Sequence, residues 1–150
     1  MKATLTLLVG IPGSGKSTWA KNNCGKSVVL SSDLIRKEIL GSEEDQTNND
    51  LVFKTLYVRA KELLNNNVDV IIDATNATVF DRKRSLDNFK DLNIFVKAIV
   101  FNTPAEVCRK RDKQRTRTVG DEVIDMFLQK YEEPTTVEGF NQIDYINYVE

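Results

Sequence analysis

Eight residues near the amino terminus constrain this chain more than any others: Gly10-Ile11-Pro12-Gly13-Ser14-Gly15-Lys16-Ser17. Three glycines and a proline in so short a run rule out a continuous helix or strand. The apolar run over residues 4–9 reads as a buried strand leading in, and residues 17–23 read as a helix leading out. The spacing fits G-x-x-x-x-G-K-[ST], a loop whose backbone N–H groups curl inward around an anion. Gly13, Ser14 and Gly15 supply such groups, and Lys16 reaches the outer phosphates. The Ser17 hydroxyl suits a Mg²⁺ ion, and Thr18 completes the cofactor-binding set on the first turn of the helix. The positive end of that helix adds to the anion site. The expected ligand is a nucleoside triphosphate with Mg²⁺.

The remaining chain alternates short apolar runs with amphipathic segments. Strands are expected at residues 27–30, 68–72 and 94–101, and a last one at 145–149. Each of the first three reads as a near-continuous apolar run, as buried parallel strands do. Between them, residues 34–40 have helical periodicity closed by Gly41, and Val52, Leu56, Ala60 and Leu64 share one face of a longer helix. Residues 78–89 read as a charged helix. Thr103-Pro104-Ala105-Glu106 reads as a helix start, with threonine as cap and proline in the first turn; residues 123–131 form a further helix. Residues 42–49 read as a polar loop. Strand–helix alternation of this kind builds an α/β three-layer sandwich around a mainly parallel sheet, here as one domain over residues 1–150.

In such sheets the carboxyl ends of the strands line the ligand crevice. Asp33 follows the second strand, so it falls on the same side of the sheet as the glycine loop. The chain contains no histidine, so general-base chemistry passes to a carboxylate, and Asp33 is the leading candidate to accept a proton from an acceptor hydroxyl. Arg36, three residues on, suits a phosphate or carboxylate of the acceptor. The plainer alternative makes Asp33 a helix cap and Arg36 its surface ion-pair partner. Asp73 ends the third strand, where an acid would hold Mg²⁺, or simply start a turn. Arg109, Lys110, Arg111, Lys113, Arg115 and Arg117 crowd one stretch. Arg111 and Arg115, four apart, are expected on one helix face as a mobile lid that neutralises a transferred phosphoryl group; the alternative is a solvated face. Arg82, Lys83 and Arg84 are expected on a solvated face, with an acceptor-phosphate role as the alternative.

Other classes fall away on composition. The net charge of −1 gives no global field for nucleic acid, so any polynucleotide must be held by a local patch. No apolar stretch approaches the roughly 20 residues of a membrane-spanning helix. The two cysteines, Cys24 and Cys108, have no metal-type spacing and fit small apolar residues in a reduced cytoplasmic setting.

Taken together the motifs resemble the kinase domain of the polynucleotide 5′-hydroxyl kinases, within a wider P-loop kinase group that includes zeta-toxin-like and antibiotic-modifying kinases. The matching pieces are GIPGSGKSTW at residues 10–19, Ser32-Asp33 with Arg36, DATN at 73–76, Arg111 and Arg115 before Val119, and PTTVEGF at 134–140. The resemblance implies a sheet of nucleoside-monophosphate-kinase type and ATP as donor. It implies that the 5′-hydroxyl end of DNA or RNA is the acceptor, with Asp33 as general base and Arg36 on the acceptor's 3′-phosphate. It also implies that Arg111 and Arg115 form a lid over ATP. Gly120 departs from the pattern, since such lids often carry proline there. The D-x-D-G-T motif of an accompanying phosphatase domain does not occur, so no 3′-phosphatase activity is expected. The residues alone leave two other acceptor classes open: a small-molecule hydroxyl such as a nucleoside or antibiotic, and none at all, as in a nucleotide-driven switch.

Overall fold

The computed structural model describes residues 2–116 and 118–149. Five strands form one sheet: β1 (Thr4–Val9), β2 (Val28–Ser31), β3 (Val70–Asp73), β4 (Phe95–Asn102) and β5 (Gln142–Asn147). Their order is β2-β3-β1-β4-β5, and every pairing is parallel. Six helices cross over between and after them: α1 (Lys16–Asn23), α2 (Ser32–Leu40), α3 (Asn49–Asn65), α4 (Val79–Asp87), α5 (Ala105–Lys113) and α6 (Asp121–Lys130). A 3₁₀ turn at Thr136–Glu138 precedes β5. Among the described residues no helix is long and apolar enough to cross a membrane.

Alternation along the strands divides the core between the two faces. Leu5, Leu7, Val70 and Ile72 face Val52, Leu56, Ala60 and Leu64, the i, i+4 stripe of α3. On the opposite face Leu8, Ile71, Ile99 and Phe101 pack against Ala20 and Trp19 of α1. Trp19 meets Phe101 edge to face, with ring centroids 5.9 Å apart. A smaller cluster joins Ile11, Cys108 and Ile124, so the glycine loop, α5 and α6 share a core. Both faces of the sheet are therefore covered, which is why β1 and β3 are buried at almost every position.

The strand at residues 28–31 departs from the expectation of a buried run: all four residues of β2 are half-buried. It lies at the edge of the sheet, paired on one side only. The last strand begins at Gln142, three residues before the apolar signal at Tyr145, because Asn141 is already drawn in by Val96 (Asn141 N to Val96 O, 2.8 Å). The register of β2 on β3 sets Ser31 beside Asp73. The turns after β1, β2 and β3 thus emerge at one edge of the sheet.

Candidate active site

The loop after β1 is held on both flanks. The Gly10 N–H donates to Thr75 O at 3.0 Å, which ties the loop to the segment leaving β3. From the other side, Thr103 Oγ donates to Ser14 O at 2.7 Å and Arg111 Nη1 to Gly13 O at 3.3 Å. Thr103 therefore does not cap α5, as its position before Pro104 suggested; its hydroxyl is committed to the loop, and α5 carries no side-chain cap. Gly13 has φ +85°, and a Cβ there would sit 2.6 Å from Cys108 O, so only glycine fits against α5. Lys16 is buried, with Nζ 3.1 Å from Ile11 O and 3.4 Å from Ser14 Oγ. Burial pushes its pKa down to about 8, against the pull of Asp73 and Asp33.

Ser17 Oγ donates to Asp73 Oδ2 at 2.6 Å, joining the first turn of α1 to the end of β3. A hydroxyl beside a carboxylate is the hard-oxygen pair that suits Mg²⁺, and among the described residues no group of three or more His, Cys, Asp or Glu could hold a metal unaided. The donor set fits an ion that takes its other oxygens from phosphates and water. Asp33 stands in the first turn of α2, whose cap is Ser31 rather than Asp33 (Leu34 N to Ser31 Oγ, 3.3 Å). Arg36 is not a surface partner: it is 5% exposed. Its Nη1 donates to Asp33 Oδ1 at 2.7 Å, while Nε and Nη2 donate to Asn49 Oδ1 at 3.2 and 3.0 Å. The guanidinium is thereby a brace between α2 and the start of α3 that orients Asp33.

Arg111 lies in α5, but Arg115 does not share its helix face. The helix ends at Lys113 with Gln114 as its carboxyl-terminal cap, and Arg115 belongs to the turn beyond. Arg111 passes 5.5 Å from the Tyr148 ring. Arg115 lies 3.8 Å from Asp112 and is close enough to Lys16 to help lower its pKa. Asp112, 1% exposed, accepts from the Val119 and Gly120 N–H groups at 2.9 Å each, closing the turn onto α5. Gly120 has φ +92°, which proline cannot adopt, so the departure from the lid pattern follows from the local backbone. Arg117 lies outside the described residues.

Lys16, Ser17, Asp33, Asp73, Arg111 and Arg115 all line one open cleft of about 1480 Å³. A family profile described as an AAA domain matches residues 5–134. The chain belongs to that family. It is 28% identical over 145 residues to the L-seryl-tRNA(Sec) kinase of Methanococcus maripaludis, an alignment covering 88% of this chain and 54% of the relative. It is 24% identical over 151 residues to the bifunctional polynucleotide phosphatase/kinase of Schizosaccharomyces pombe, covering 96% of this chain and 33% of the relative. In a solved structure of the Pnkp1/Rnl/Hen1 RNA repair complex, one chain superposes with a TM-score of 0.76 at 25% identity, over 86% of this chain and 44% of that one. The chain thus spans about half the length of the first relative and a third of the second. These are P-loop kinases, and this is a P-loop kinase domain.

Within this family domain, several residues do more than the sequence disclosed. Arg82, expected on a solvated face, is 0% exposed. It pairs with Glu138 at 2.7 Å, and its Nη1 donates to Asn76 O at 2.8 Å. Asn76 has φ 47° and its Nδ2 donates to Leu8 O at 2.7 Å. DATN and the EGF segment are therefore two ends of one brace beneath the cleft floor, with Glu138 locked by a capping box with Thr135. A sequence signal for Arg82 did exist: it stands four residues before Leu86 and seven before Phe89, on the buried stripe of the segment. Asn49 and Asp112 carried no signal beyond their residue type.

Proposed function

We propose that this chain transfers the γ-phosphate of ATP to the 5′-hydroxyl of a polynucleotide, as a single P-loop kinase domain working in the cytoplasm. The observation that carries the reading is the Asp33 carboxylate, braced by Arg36 and facing the same cleft as Lys16. In this reading the backbone of Gly13, Ser14 and Gly15 and the Thr18 turn cradle the phosphates, and Lys16 holds the β–γ oxygens. Mg²⁺, when bound by Ser17 and Asp73, would neutralise charge on the phosphates. The acceptor hydroxyl gives its proton to Asp33 as its oxygen attacks the γ-phosphorus; the bond to the bridging oxygen breaks and ADP leaves. Arg111 and Arg115 balance the charge that spreads over the transferred group. Support comes from relatives named for polynucleotide and RNA-repair chemistry and from the free thiols of Cys24 and Cys108, which fit a reducing compartment.

The test offers γ-labelled ATP and Mg²⁺ with 5′-hydroxyl DNA and RNA oligonucleotides, a nucleoside 3′-monophosphate and a plain nucleoside. Label on oligonucleotide 5′ ends is expected; label on none of the nucleic acids moves the acceptor to a small molecule. A second acceptor has its own observation: the relative at 28% identity is named for a seryl-tRNA. Seryl-tRNA therefore belongs in the same panel, and label on it in place of the 5′ ends would favour that reading.

A further inference from the structure

A second groove, of about 390 Å³, runs between α3 and α4 and adjoins the main cleft; Phe53 and Arg84 line both. Its floor is aromatic, from Phe53 and Tyr57, and its rim carries Lys54, Lys61 and Arg84 beside Asp50, with Lys61 paired to Asp91 at 3.3 Å. Arg84 stands at the junction. Its guanidinium carbon lies 4.6 Å over the Phe53 ring, and its only ion pair among the described residues is a loose one, 3.9 Å to Asp81. Its Nε is buried and has no hydrogen-bond partner among the described residues. The side chain as a whole is 37% exposed, so its Nη groups are open to an anion coming from the cleft. The Arg36 brace ends on Asn49, one helical turn before Phe53, so the floor of the groove begins about 6 Å along α3 from the residue that steadies Asp33.

We infer that this groove takes the nucleotides 3′ of the acceptor nucleoside: an unpaired strand runs from Asp33 past Arg84, which binds a phosphate, onto Phe53. The inference rests on the polynucleotide reading of the acceptor. A strand with its 5′ end at Asp33 has to leave the cleft away from the glycine loop and Arg111, where the triphosphate lies. The α3–α4 groove continues the cleft in that direction. Cations beside an aromatic floor are the means by which proteins hold single strands without reading their sequence. The groove also offers the local cations that a net charge of −1 makes scarce: Lys54 has no ion pair among the described residues, and Arg84 has only the loose one to Asp81.

The experiment measures kcat/KM for labelled phosphate transfer to a nucleoside 3′-monophosphate and to 5′-hydroxyl di-, tri- and hexanucleotides, at two salt concentrations. The native protein is compared with Arg84→Ala and with Lys54→Glu, whose side chain is exposed and free of packing duties. The native protein should gain about tenfold or more between the mononucleotide and the trinucleotide, and should lose much of that gain at high salt. In both variants the gain should shrink to within about threefold. No gain with length in the native protein, or the same gain in both variants, overturns the groove while leaving the acceptor reading intact. No label on any 5′-hydroxyl overturns the acceptor reading and the groove with it.

Discussion

Replacing Asp33 separates catalysis from scaffolding, because the proposed mechanism gives its carboxylate a role toward the acceptor and the structure gives it a contact with Arg36. Asp33→Asn keeps an oxygen where Arg36 Nη1 donates at 2.7 Å but removes the basic site. Loss of a general base costs about 10²–10⁴ in kcat, or about 3–5 kcal/mol of transition-state stabilisation. Asp33→Ala removes the acceptor as well, so Nη1 of a guanidinium with only 6% of its side chain exposed loses its partner. A fully buried pair broken this way costs about 3–5 kcal/mol. The Asp33 side chain is 46% exposed, however, so water replaces much of what is lost, and about 1 kcal/mol is the expected cost. For a chain of this size that lowers Tm by about 2–4 °C. Single-turnover transfer from γ-labelled ATP, nucleotide titration and thermal unfolding read the three quantities. Both variants should lose transfer and keep ATP affinity, and only Asp33→Ala should lose stability. Asp33→Asn working within tenfold of the native rate would refute the general-base assignment. Loss of ATP binding in parallel would show instead that Asp33 belongs to the nucleotide site.

Three further outcomes follow from the geometry. Lys16 titrates near pH 8 with the cleft unliganded, and bound phosphates raise that value. The complex then keeps a proton that the free protein sheds above pH 8, so ATP affinity should fall by up to about tenfold per pH unit beyond that point; a flat titration from pH 7 to 9.5 contradicts it. Arg82→Ala strands Glu138, whose side chain is 10% exposed, and should cost about 3–5 kcal/mol in thermal unfolding. Arg82→Lys should recover only part, because a point charge cannot serve both Glu138 and Asn76 O. Gly120→Pro should cost about 3 kcal/mol or more by forbidding φ +92° and deleting a donor to Asp112, while Gly120→Ala should cost about 1–2 kcal/mol; equal melting temperatures for the two would be the contrary result.

The fold was legible because its signals are local. Apolar runs, the Gly41 stop and the α3 stripe each report on a stretch of chain shorter than twenty residues, and strand–helix alternation then leaves few topologies. What escaped was every feature that depends on a partner far along the chain. Thr103 looks like a helix cap within its own four residues and becomes a loop ligand only because Ser14, 89 positions earlier, is brought beside it. Residues 27–30 read as a buried strand because apolar content does not say whether a strand has one neighbour or two. The turn at Arg115 likewise follows from Asp112 drawing Val119 and Gly120 back onto α5, against a helical spacing that favoured continuation.

The same distinction sorts the arginines of the site by what each is for. A charge on a buried stripe needs a buried partner, so Arg82 has to be structural, and Glu138 satisfies it from 56 residues away. Two positions on, Arg84 turns out of that stripe toward the cleft edge and keeps a donor that no described acceptor meets. Arg36 stands between these cases: it is as buried as a structural residue but orients Asp33, a carboxylate that lines the cleft. The choice between a phosphate ligand and a surface pair therefore omitted what the packing adds, an arginine that orients Asp33. Arg36 spends three of its five N–H donors on Asp33 and Asn49, which leaves two for a phosphate on the acceptor, and in the proposed reading Arg84, 37% exposed at the junction of cleft and groove, meets the next phosphate along the strand.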